Sequence, residues 1–248
     1  MNLNSFSLSP RETSDALIEA AVKKASYTTE KRLLLSFMAG LYIALGGQGF
    51  LVGYGNLFIR AAVFPVGLML VVLVGGELFT GNCLMTFGFL QKKITLKDYI
   101  KTMVQVLIGN FAGSVFVAAL LYFGGVYDKP EMAETVIKVA NAKISASFMQ
   151  VLCKATLCNI LVALGVWFAT VSKDATGKML GCWFPVMLFV FCGYEHVVAN
   201  MFFLPMGAML DPSITLLGMM GNLIPATIGN FIGGGILIPV IYHMVYYK

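Results

Sequence analysis

Charge is what this sequence has least of. Of 248 residues only 12% are Asp, Glu, Lys or Arg and 58% are apolar, against about 25% charged and 45–50% apolar in an ordinary soluble domain. So little polar surface cannot wrap a water-facing globule, and the composition places the chain in a membrane. Histidine is nearly absent, with His196 and His243 alone, and the pair offers no zinc spacing. No nucleophile with a partner base stands out, and Gly47-x-Gly49 followed by Val52 fails the dinucleotide fingerprint. Neither an enzyme nor a bound cofactor or metal is expected. The five cysteines, Cys83, Cys153, Cys158, Cys182 and Cys192, are odd in number and lack paired spacing, so they read as small core hydrophobes. The net charge of +5 comes without a basic stripe, and no nucleic-acid partner is expected.

Long apolar runs are what the chain has instead. A spanning helix needs about 20 mainly apolar residues, and six segments qualify, at roughly 33–58, 61–90, 99–126, 144–171, 179–209 and 214–245. Residues 1–32 carry Arg11, Glu12, Asp15, Glu19, Lys23, Lys24, Glu30 and Lys31 ahead of any such run, unlike a cleaved signal peptide. Within them Ser9-Pro10-Arg11-Glu12 has the form of a capping box with proline at the first helical position, which predicts a short amphipathic helix lying on the membrane face. The expected layout is a cytoplasmic segment 1–32 and a six-helix transmembrane domain 33–248. Of the 17 Lys and Arg residues, five (Arg60, Lys129, Lys138, Lys143, Lys154) fall on one side and the other twelve on the side of the N-terminus. The positive-inside rule then places both termini in the cytoplasm of a multi-pass protein of the cell (inner or plasma) membrane, surrounded by lipid.

The halves repeat. Ala44-Leu45-Gly46 returns as Ala163-Leu164-Gly165, 119 residues on; Gly76-Glu77 aligns with Tyr194-Glu195, 118 on; and Gly109-Asn110-Phe111-x-Gly113 returns as Gly229-Asn230-Phe231-x-Gly233, 120 on. With repeats at about 33–126 and 144–245, each copy holds three spans. An odd number forces the second copy through the bilayer upside down, a layout typical of transport folds with a midplane site.

Two spans are interrupted at matching places. Gly75-Gly76-Glu77-Leu78-Phe79-Thr80-Gly81-Asn82 breaks the second, and Cys192-Gly193-Tyr194-Glu195-His196-Val197-Val198-Ala199-Asn200 the fifth. Non-helical backbone survives in a bilayer only where protein or a water-filled cavity covers it, so the paired breaks mark a pathway, with half-helix N-termini available to an anion. The lone His196 sits in one break. Glu77 and Glu195 read as loop-structuring carboxylates that accept the N–H groups freed by the breaks. Lys143 precedes the fourth span, as a solvated loop lysine or the edge of an outer vestibule, and Asn159 suggests an interhelical hydrogen bond. Phe64, Leu68, Phe79 and Phe189 flank the breaks and are candidates for a dry constriction.

Gly76-Glu77-Leu78-Phe79-Thr80-Gly81 and Gly193-Tyr194-Glu195-His196-Val197-Val198-Ala199-Asn200-Met201-Phe202 resemble the two signatures of the formate/nitrite transporter family of pentameric anion channels, and the similarity runs over essentially the whole chain. The resemblance implies an aquaporin-like fold, all α, with six transmembrane helices as two inverted three-helix repeats and broken helices 2 and 5. It makes His196 the central pore histidine, Thr80 its hydrogen-bonding partner, Lys143 the vestibule lysine, Asn159 and Asn200 polar pore neighbours, and Phe64, Leu68, Phe79 and Phe189 the constriction. The function it implies is proton-linked passage of a small monovalent anion, formate foremost, through each protomer of a homopentamer. Nitrite and hydrosulfide stand as alternatives of like size and charge, and a neutral-solute pore of aquaporin type as the alternative of another class.

Overall fold

The computed structural model describes residues 7–53 and 55–248; residues 1–6 of the N-terminal segment and position 54 of the first predicted span lie outside the described residues. Small polar residues decide where the helices start. Ser9 begins α1 (Pro10–Ala25) with the predicted capping box, and Thr28 caps α2 (Thr29–Val52). After α3 (Leu57–Gly75) and α4 (Phe79–Leu90), Thr95 caps α5 (Leu96–Phe123), Lys129 precedes α6 (Pro130–Ile144), and Ser147 caps α7 (Phe148–Val171). Asp174 caps α8 (Ala175–Phe191), His196 caps α9 (Val197–Leu210), and Thr215 caps the first half of α10 (Leu216–Tyr247). Helices α2, α3, α5, α7 and α10 are long and apolar enough to cross a membrane by length and composition, while α4, α8 and α9 are shorter apolar helices. Among the described residues there is no strand, only an isolated bridge between Ser7 and Ser172.

Both interruptions are present as breaks. Helix α3 ends in a π turn at Gly75, whose φ of +104° puts it in the left-handed region; Gly76–Leu78 run non-helical before α4 restarts at Phe79. Helix α8 ends at Phe191, Gly193 turns with φ +67°, and α9 restarts at Val197. A Cβ is disfavoured at such φ values, so each break rests on its glycine. Helix α2 packs along α5, and α7 along α10 and α8, so the broken segments are flanked by continuous helices.

Three expectations need correcting. The stretch before residue 144 is not a loop but α6, which starts at Pro130 just as α1 starts at Pro10, 120 residues earlier. Helix α1 does not lie flat on lipid: Leu17 and Ile18 pack with Leu84, Phe87 and Trp167, because protein offers its apolar face a drier partner than the interface does. Position 32, the drawn boundary, falls inside α2. Cys83, Cys158 and Cys182 are buried, but Cys153 and Cys192 are exposed and lie outside the core. Much of the outer surface is apolar, with Phe123 and Leu217 each 84% exposed, as befits a chain whose solvent is hydrocarbon.

Candidate functional site

The backbone groups freed by the breaks are taken up by two asparagines on continuous helices. Phe79 N–H donates to Asn110 Oδ1 at 2.9 Å, while Asn110 Nδ2 donates to the main-chain oxygens of Ser36 (2.8 Å) and Glu77 (2.9 Å). Asn230 does the same 120 residues later: Val197 N–H donates to its Oδ1 at 2.9 Å, and its Nδ2 donates to the oxygens of Ala155 (2.7 Å) and Glu195 (2.9 Å). Only a carboxamide offers acceptor and donors together, which a carboxylate cannot. The expected role of Glu77 and Glu195 therefore passes to Asn110 and Asn230, which the sequence displayed only as part of the repeated Gly-Asn-Phe motif.

The glutamates hold lysines instead. Lys24 Nζ donates to Glu77 Oε1 at 2.7 Å and to Asn82 Oδ1 at 2.8 Å, and Asn82 Nδ2 donates to Glu77 Oε2 at 2.7 Å. Lys143 Nζ donates to Glu195 Oε2 at 2.8 Å, and Asn200 Nδ2 donates to the same oxygen at 2.6 Å. Both carboxylates are buried, so each charge needs its partner. Lys24, in the last turn of α1, lies 119 residues before Lys143, in the last turn of α6. The common offset was the signal that could have found Lys24, had α6 been recognised as a helix.

His196 caps α9 through its ring: Ala199 N–H donates to Nδ1 at 3.1 Å. That bond makes Nδ1 an acceptor, so the neutral ring carries its proton on Nε2, which lies 3.0 Å from Thr80 Oγ1 on the opposite half-helix. Phe189 stacks on the imidazole at 5.7 Å between centroids, and Phe64 meets Phe189 edge-on at 5.7 Å. Asn159 Nδ2 donates to the main-chain oxygens of Thr80 (3.3 Å) and Asn230 (2.6 Å), joining the two breaks from behind.

Two separate cavities approach this contact. The one on the face that bears both chain ends, the near face, has about 330 Å³ and is walled by Lys24, Tyr27, Leu68, Val71, Glu77 and Asn82, among others. The far cavity has about 90 Å³ and is walled by Lys143, His196, Asn200, Phe64, Phe189 and Phe203, among others. Of the expected constriction residues, Phe64 and Phe189 line the far cavity and Leu68 the near one, whereas Phe79 is buried and lines neither.

Residues 11–244 match the family described as "Formate/nitrite transporter". The chain belongs to that family. It is 42% identical to the "Uncharacterized transporter YrhG" of Bacillus subtilis, over 96% of this chain and 94% of the relative, and 39% identical to the "Probable formate transporter" of Methanothermobacter thermautotrophicus, over 97% of each. Among solved structures it is similar to an "FNT family ion channel" (TM-score 0.89, 31% identity, 94% of this chain and 98% of that one). It is also similar to a "Pentameric formate channel with formate bound" (TM-score 0.78, 28% identity, 89% of this chain and 98% of that one). This member of the formate/nitrite transporter family is thus a multi-pass membrane transport protein and not an enzyme.

Proposed function

We propose that each copy of the chain moves a small monovalent anion, formate first, between the far and near cavities past His196, together with a proton. The observation that carries this reading is the Thr80–His196 contact between two separate cavities, each with a lysine in its wall and aromatic or aliphatic side chains at its inner end. Taking a bare carboxylate into a dry passage costs of order 20 kcal/mol by the idealised Born estimate. Protonating an acid with a pKa about 3.5 units below the ambient pH costs about 5 kcal/mol at 1.36 kcal/mol per unit. Lys143 and Lys24 gather the anion at the two mouths, Phe64, Leu68 and Phe189 strip its water, and the neutral acid crosses beside the Nε2–H of His196. Phe79 and Asn159 support that passage from behind, and Asn200 shapes the far mouth.

In this reading the chain has six crossings in two inverted repeats, with α3/α4 and α8/α9 as the broken second and fifth. The repeats include α1 and α6, since these carry the equivalent lysines. Both termini are cytoplasmic, the membrane is that of the cell, and five copies assemble, each with its own pore. Stopped-flow uptake into proteoliposomes tests it with formate, nitrite and hydrosulfide, alongside glycerol. Formate uptake with parallel acidification of the lumen supports the reading. Glycerol flux with no anion flux would replace it with a neutral-solute pore, and preference for nitrite or hydrosulfide would reassign the substrate within the family.

A further inference from the structure

The two lysine clusters are built from the same residue types and bonded differently. Lys24 Nζ is shared between Glu77 Oε1 and Asn82 Oδ1, at 2.7 and 2.8 Å. Lys143 Nζ donates to Glu195 Oε2 alone, and Asn200 Oδ1, the counterpart of Asn82 Oδ1, is buried without a partner. The difference traces to one residue on α10. Asn222 Oδ1 accepts from Asn200 Nδ2 at 2.7 Å, and Asn222 Nδ2 donates to the main-chain oxygen of Lys143 at 3.1 Å. At the position 120 residues earlier, on α5, stands Thr102, buried and with its hydroxyl unpartnered. Nothing there claims the Asn82 amide, so its oxygen turns to Lys24.

An ammonium has three N–H donors. After these bonds Lys24 keeps one and Lys143 keeps two, in a far cavity of about 90 Å³ that His196 also lines. We propose that Asn222 is a positioning residue that makes the two mouths unequal: by holding the Asn200 oxygen away from Lys143 it leaves two donors for an incoming anion, so capture is tighter at the far face. The inference rests on the anion-channel reading above and adds to it a residue and a sidedness.

The test compares wild type, Asn222→Thr and Thr102→Asn in proteoliposomes of fixed orientation, measuring half-saturation by formate from each face. In Asn222→Thr the Asn200 amide turns onto Lys143, as Asn82 does onto Lys24. Far-side half-saturation then rises about tenfold, the equivalent of about 1.4 kcal/mol, while near-side half-saturation stays within about twofold. Permeability at low formate must remain equal in the two directions for passive transport, which serves as the internal control. Thr102→Asn gives the near face the same device and lowers near-side half-saturation severalfold. An unchanged far-side value in Asn222→Thr, or equal changes at both faces, overturns the proposal. If that variant does not assemble, an unchanged near-side value in Thr102→Asn overturns it alone. A wild type that moves no formate sinks the channel reading, and the same two-face comparison with nitrite then decides this one.

Discussion

Because the Ala199 N–H occupies Nδ1, His196 is committed twice, to the start of α9 and to Thr80. A proton added to Nδ1 breaks the cap, so the geometry favours a ring that stays neutral and gives its Nε2–H to whatever lies beside Thr80. His196→Phe removes both functions: it should cost about 1 kcal/mol of stability for the lost cap and change the pH dependence of formate flux. His196→Asn retains a capping side chain and should restore the stability without restoring the pH profile. Thermal denaturation in detergent and stopped-flow flux separate the two, and an unaltered pH profile in both variants removes the histidine from proton handling. Asn110 makes a sharper structural case, since its side chain holds three backbone groups at once. Asn110→Leu leaves them unpaired in a dry interior, and at about 1 kcal/mol or more per bond the solubilised protein should lose about 3 kcal/mol or fail to assemble; a melting curve like wild type would contradict this account of the break.

Helix caps respond to acid outside the spans. The N–H of Gly177 and the hydroxyl of Ser172 hold the Asp174 carboxyl below its usual value of 3.8, and the Ser9 N–H does the same for Glu12, from 4.5. A carboxyl with a lowered folded-state pKa stabilises fully above its unfolded value and loses that contribution as pH falls through the folded one. Both caps should therefore be intact at neutral pH and weaken below about pH 4, where the unfolded forms begin to take up protons. Asp174→Asn, which still caps, should flatten the acid limb of the stability curve; an unchanged limb assigns the acid loss elsewhere. At this scale the chain was largely legible. Thr28, Thr95, Ser147 and Thr215 start helices where small hydroxyl residues stand before apolar runs, and Gly75 and Gly193 mark the breaks. Helix α6 escaped because its polar, lysine-bearing sequence looks like a loop once spans are sought by hydropathy alone.

Across the whole molecule, α1 is tied to the end of α10. Tyr247 Oη donates to Asp15 Oδ1 at 2.6 Å, the Arg11 guanidinium lies 3.7 Å from the centre of the Tyr247 ring, and Gln91 meets His243 at 2.9 Å on the same helix end. These contacts seat Lys24 over the near cavity. Deleting residues 1–28 removes Lys24 together with its support, and should weaken near-side formate capture and shift the acid sensitivity of transport; an identical pH profile and half-saturation would separate α1 from the pathway. The apolar outer surface needs cover on every side, from lipid or from neighbouring copies. Native mass spectrometry in detergent should count five chains, and a monomer with full flux would show that each pore works alone.

What the sequence determined by itself was everything that follows from local pattern: spans from hydropathy, helix starts from caps, the duplication from a common offset, and the family from two contiguous signatures. Partners were decided only by the tertiary structure. A buried glutamate must pair with something, but whether with loop N–H groups or with a lysine more than 50 residues away depends on which helices pack side by side. That choice gave Glu77 to Lys24 and Glu195 to Lys143, and left the loops to Asn110 and Asn230. Unequal neighbours on α5 and α10 then set two similar mouths apart, because hydrogen-bond allegiance in a dry interior is fixed by whichever group lies within about 3 Å.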